Sequence, residues 1–82
     1  MSKTINQMSI QVKFFASLRE KVGLSDTTIE HASTASEVWD IATDNMAKPA
    51  NLLVAINLDY AKLTAEIHDG DEVAFFPPVT GG

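Results

Sequence analysis

Eighty-two residues without a cysteine, 45% apolar and 21% charged, describe one globular domain with no disulfide, thiolate metal site or cysteine nucleophile. Six Lys and Arg against eleven Asp and Glu give a formal charge of −5, and the scattered basic residues form no stripe that could follow a phosphate backbone, which argues against nucleic acid. No apolar run approaches the ~20 residues that span a bilayer, and MSKTINQ lacks a signal peptide's apolar stretch, so the expected setting is the cytoplasm, away from membranes.

The segment MSIQVKFF alternates, with Met8, Ile10, Val12 and Phe14 on one side and Ser9, Gln11, Lys13 and Phe15 on the other. A period of two predicts a half-buried strand. ASLREKVG then changes to helical spacing, with Leu18 and Val22 four apart and Gly23 placed to end the helix. TTIEHA predicts a short second strand. Thr34 to Glu37, TASE, fits a capping box, in which the Thr hydroxyl and the Glu carboxylate each satisfy a free backbone N–H. The helix it opens is expected to reach about Met46, burying Ala35, Val38 and Ala42 with Trp39 or Ile41 flanking, and to stop at Pro49. NLLVAINL predicts a strand with Leu52, Val54, Ile56 and Leu58 in phase, and DYAKLTAEI an edge strand and turns. HDGDE reads as a turn around Gly70. EVAFF is the last strand, ended by Pro77 and Pro78, which cannot donate to a ladder. One main helix packed across a single mixed sheet fits this order, an α+β architecture.

Little in the chain suggests catalysis. His68, Asp69, Asp71 and Glu72 are the one cluster of metal-ligand residue types, and a polar turn opening a strand accounts for them, so no metal is expected. The four glycines form no phosphate-cradling loop, and no Ser or His sits in a nucleophile elbow or triad pattern. Two aromatics fall out of phase with the core: Phe15 in the first strand and Phe76 in the last. Either a loop covers the second face of the sheet or the pair forms an exposed patch for a partner. The patch is favoured if the first and last strands are neighbours, since Phe15 and Phe76 then share one face. An acidic surface suits either solubility or docking onto a basic protein.

The end, FFPPVTGG, raises a different chemistry. Gly81 and Gly82 lack a Cβ and can thread a channel too narrow for other residues. The group such a tail presents is a carboxylate, a poor electrophile until it is activated. Formation of an acyl-adenylate from ATP is the usual activation, and it requires a second enzyme.

VKFFASLRE near the start and DGDEVAFFPPVTGG at the end resemble the small, sulfur-carrying subunit of molybdopterin synthase, the MoaD family. The resemblance runs from about Met8 to Gly82 and implies a β-grasp, ubiquitin-like fold with the first and last strands side by side. It divides the chain into a loose extension over 1–7, the domain over 8–76 and an extended tail over 77–82. Gly82 would be the functional residue, adenylated by a ubiquitin-activating-like adenylyltransferase and converted to a thiocarboxylate. Pro77, Pro78, Val79, Thr80 and Gly81 would insert into the large subunit, which is expected to hold the active site. This chain would be the sulfur donor there, with no bound cofactor, and its acceptor would be cyclic pyranopterin monophosphate. Phe15, Arg19 and Phe76 match family positions near the partner surface, and the family assembles as a heterotetramer. The extension MSKTINQ is longer than a typical start. Alternatives within the fold are the sulfur carrier of thiamine biosynthesis and a ubiquitin-like protein modifier; an interaction module with an inert tail is a third.

Overall fold

Residues 9–78 are described by a computed structural model. Alternation along β1 (Ile10–Phe14) buries Ile10, Val12 and Phe14 on one face, as the period of two predicts. Met8, at the start of that expected strand, lies outside the described residues, as do 1–7 and 79–82. A sharp turn at Ala16 leads into α1 (Ser17–Val22), which buries Leu18 and ends at left-handed Gly23, whose N–H donates to the Arg19 carbonyl. The strand expected over TTIEHA is β2 (Asp26–Ile29), which starts one residue earlier and ends three residues short, and Ala32 is buried in the connection after it.

The helix α2 (Ala35–Thr43) starts at the expected Thr34 cap, with the reciprocal bond taken one residue earlier, at Ser33 rather than Thr34. Glu37 N–H donates to the Thr34 hydroxyl at 3.2 Å, and the Glu37 carboxylate accepts from Ser33 N–H at 2.5 Å. It stops before Met46, and Pro49 is not the cause. Asp44 and Asn45 turn left-handed and donate to the Asp40 carbonyl, while Trp39 Nε1 donates to the Met46 carbonyl at 2.7 Å. A buried indole thereby satisfies its donor and folds the chain back at the same point. Trp39 rather than Ile41 completes the apolar stripe: Trp39 is fully buried and Ile41 half exposed.

After that, β3 (Leu53–Ile56), the edge strand β4 (Asp59–Ala61) and β5 (Glu72–Phe76) complete a five-stranded sheet of order β2-β1-β5-β3-β4. The central strands, β1 and β5, come from opposite ends of the chain and run parallel, pairing Val12 with Val73 and Phe14 with Phe75. All other pairs are antiparallel. On one face α2 covers the sheet. Phe14 and Phe75 stack at 5.8 Å, and the Trp39 ring meets both edge-on, at 5.9 and 5.2 Å.

The two faces of β1 and β5 differ in what truncation costs. Phe14→Ala or Phe75→Ala should destabilise by ~3–5 kcal/mol, because each empties a packed site beneath α2. Phe15→Ala or Phe76→Ala should cost about 1 kcal/mol, the worth of an aromatic pair at a surface. Urea midpoints of the four variants test this; equal losses would mean that both faces are core.

Candidate functional site

The register that buries Phe14 and Phe75 puts Phe15 and Phe76 on the opposite, helix-free face. Phe15 N–H donates to the Phe75 carbonyl at 3.1 Å, so the pairing continues one residue past β1. The rings of Phe15 and Phe76 lie 4.8 Å apart and 6° from parallel, a stacked pair. Phe15 remains 40% exposed. Of the two expectations for this face, the described residues form the exposed patch.

Around the pair is an apolar cleft of about 180 Å³, lined also by Ala55, Leu58, Tyr60, Glu72 and Ala74. Arg19 does not line it; it is exposed on α1, one turn beyond Phe15. Pro77 and Pro78 are half-buried and leave β5 at Phe76, so the chain exits beside the cleft. Val79, Thr80, Gly81 and Gly82 lie outside the described residues.

Two lining residues, Leu58 and Tyr60, were not expected in a site. Alternation places Leu58 in phase with Leu52, Val54 and Ile56, as core. The structure corrects this: Ile56 pairs with Asp59, and Asn57 and Leu58 form a two-residue turn with φ of 51° and 75°. Positive φ at both positions is the turn that matches strand twist, and Asn-Gly is its usual sequence. Here Leu takes the glycine's place and is 88% exposed. Tyr60 follows on β4, 74% exposed, with its ring 6.2 Å from Phe76. The signal for the turn was Asn57 itself, a residue that tolerates positive φ, placed after four strand-like residues.

The polar cluster at the β5 entrance holds backbone together. One Asp71 carboxylate oxygen accepts from His68 N–H at 2.8 Å, and the other from Asn57 Nδ2 at 2.9 Å. Glu72 pairs with Lys13 across the sheet at 3.6 Å. Among the described residues no three His, Cys, Asp or Glu side chains gather as metal ligands would. No described helix is long and apolar enough to cross a membrane.

A mixed sheet with a parallel central pair and one main helix across it defines the ubiquitin-like β-grasp class. The chain belongs to the ThiS family, whose sequence model matches residues 12–82. It is 38% identical over 84 residues to the molybdopterin synthase sulfur carrier subunit of Escherichia coli K12, covering 89% of this chain and 99% of that one. Among solved structures it is similar to SAMP1 from Haloferax volcanii (28% identical, TM-score 0.69, 90% of this chain and 99% of that one). It is also similar to a chain in the complex of subunits 1 and 2 of molybdopterin-converting factor from Helicobacter pylori (25% identical, TM-score 0.61, 92% of this chain and 100% of that one).

Hydrogen bonds from the His68 backbone and the Asn57 side chain favour the ionised form of Asp71 and hold its pKa below the ordinary 3.8. A carboxylate with a lowered folded-state pKa contributes stability that is fully present above its unfolded value. That contribution is lost as pH falls through the lower, folded value. The stability advantage of the wild type over Asp71→Asn should therefore hold above pH 3.8 and close as pH falls below it. Urea midpoints measured along a descending pH series test this; a pH-independent gap would contradict the assignment.

Proposed function

We propose that this chain is the sulfur carrier of molybdopterin synthase, with Gly82 as its sulfur-bearing residue. The observation that carries this is the stacked Phe15–Phe76 pair, on a bare sheet face, at the point where the chain departs toward Gly82. The E. coli relative, matched over nearly its whole length, is named as that carrier, and the ThiS family match continues through Gly82.

In the proposed cycle a ubiquitin-activating-like adenylyltransferase joins the Gly82 carboxylate to AMP from ATP, releasing pyrophosphate. Sulfur at the sulfide level then displaces AMP, leaving a thiocarboxylate. The apolar cleft docks on the large subunit of the synthase, and residues 77–82 enter its active site. Two such carriers each pass one sulfur there to cyclic pyranopterin monophosphate, building the dithiolene, and each Gly82 returns to a carboxylate as water supplies the oxygen that replaces the sulfur. The subunit complex of the H. pylori protein supports a large-subunit partner, and the formal charge of −5 favours a basic docking surface on it. The assembly in this reading is a cytoplasmic heterotetramer. Pro77 and Pro78 restrict φ and lower the entropy lost when the stem docks.

A second reading is a ubiquitin-like protein modifier, favoured by the likeness to SAMP1, a small archaeal modifier protein. It uses the same activated glycine, and its acceptor is a lysine amine.

Incubation with the activating enzyme, ATP and a sulfur donor, followed by the mass of the C-terminal peptide, tests the reading. Replacement of one terminal oxygen by sulfur is expected, whereas conjugates on other proteins would favour the modifier. Deleting Gly82 should abolish sulfur transfer and leave the urea midpoint unchanged; transfer that survives the deletion would end the carrier assignment.

Leu58 offers a test in which stability and docking separate. Leu58→Gly removes a strained side chain at positive φ, worth ~1–2 kcal/mol, against ~0.4–1 kcal/mol for the freer unfolded glycine. Stability should stay level or rise by up to ~1.6 kcal/mol, while binding to the large subunit weakens by ~1–3 kcal/mol. Titration calorimetry beside urea unfolding measures both. Unchanged affinity would remove Leu58 from the docking face.

A further inference from the structure

A leucine at positive φ with most of its surface in water is held there by something, and the surrounding hydrogen bonds show what. Asn57 N–H donates to the Glu72 carbonyl at 2.8 Å, and Glu72 N–H donates back to Asn57 Oδ1 at 3.0 Å. The Asn57 Nδ2 donates to Asp71 Oδ1 at 2.9 Å. The orientation of the amide follows from its partners, since a backbone N–H needs an oxygen and a carboxylate needs a donor. Asn57 thus extends the β3–β5 pairing beyond Ile56 and Val73, the last regular pair.

The site it grips is itself fixed. Asp71 Oδ2 accepts from His68 N–H, and the Asp71 N–H donates to the His68 carbonyl at 3.1 Å. The Asp71 carbonyl accepts from Gln11 N–H at 3.1 Å, and Gly70 N–H donates to the Ser9 carbonyl at 3.0 Å. The β3–β4 turn is therefore tied through Asp71 to the start of β1, the strand that leads into Phe15. An ordinary Asn-Gly hairpin needs no such support. A turn that must present Leu58 in one direction does.

We propose that Asn57 and Asp71 are positioning residues that hold Leu58 at the rim of the Phe15–Phe76 cleft, so that the docking face is formed before a partner arrives. This rests on the docking role proposed above. A loose tip would have to be ordered during binding, and the clamp removes that cost beforehand. Asp71 and Asn57 contribute no surface to the cleft lining; they act through Leu58.

The test uses Asn57→Gly, which keeps a residue suited to positive φ and removes the clamping side chain; because glycine also frees the backbone, Asp71→Asn, which leaves Asn57 in place, is the control. Two quantities are read in the full chain: the backbone order parameter at Leu58, and affinity for the molybdopterin synthase large subunit with Leu58 or Leu58→Ala. Asn57→Gly should lower the order parameter from about 0.85 to below about 0.6. Affinity should fall about tenfold, and that fall should vanish when Leu58 is already alanine. Asp71→Asn should loosen Leu58 in the same direction. A rigid Leu58 in Asn57→Gly would overturn the clamp. An equal affinity loss in the Leu58→Ala background would overturn the positioning role, since the amide would then act on the whole domain. A wild-type chain that fails to bind the large subunit would overturn the docking role itself, and the order parameter would still decide the clamp.

Discussion

The parallel pairing of β1 with β5 is the constraint on which the other features depend. It joins the two ends of the described chain at the centre of the sheet, with Val12 beside Val73 and Phe14 beside Phe75. Successive side chains on a strand face opposite ways, so one register decides two surfaces at once. With Phe14 and Phe75 beneath Trp39, Phe15 and Phe76 must meet on the far side. A slip of β5 by one residue would send Phe75 to water and bring Phe76 beneath the helix, breaking both aromatic pairs. The interaction that stabilises the fold therefore also assembles the candidate site.

The helix-covered face and the bare face are built differently. Beneath α2, Trp39 packs edge-on against two stacked rings, and its one polar atom is satisfied by the Met46 carbonyl. The bare face keeps large apolar side chains in water at Phe15, Leu58 and Tyr60, around a cleft of about 180 Å³. Such a grouping adds little to the stability of a lone domain and is the usual mark of a protein-binding surface. Leu58 sharpens the contrast, since it occupies a backbone region where glycine is preferred.

Polar residues near the cleft work chiefly on the backbone. Asp71, which in the sequence stands among potential metal ligands, spends both carboxylate oxygens on His68 N–H and the Asn57 amide. Glu72 contributes its backbone to the same turn and its side chain to Lys13. Hydrogen bonds of this kind fix the geometry of a loop that has few apolar contacts of its own, and so keep one rim of the cleft in place.

Periodicity, with the capping box and the glycine and proline stops, determined β1, the two helices and β5, as in the alternating Ile10, Val12 and Phe14 or the helically spaced Ala35, Val38 and Trp39. It also separated Phe14 from Phe15 and Phe75 from Phe76, and the ending PPVTGG pointed to a carrier's tail. Three features were settled only by tertiary structure. Periodicity cannot tell which strands are neighbours, so the stacking of Phe15 on Phe76 waited for the β1–β5 pairing. The end of α2 was set by the Trp39–Met46 hydrogen bond and left-handed Asp44, not by Pro49. Leu58 continues the alternation of β3, and the one local sign against a core leucine is Asn57 before it. Its exposure was decided by Asn57, whose hydrogen bonds reach Asp71 and Glu72, far along the chain and adjacent only in the folded sheet.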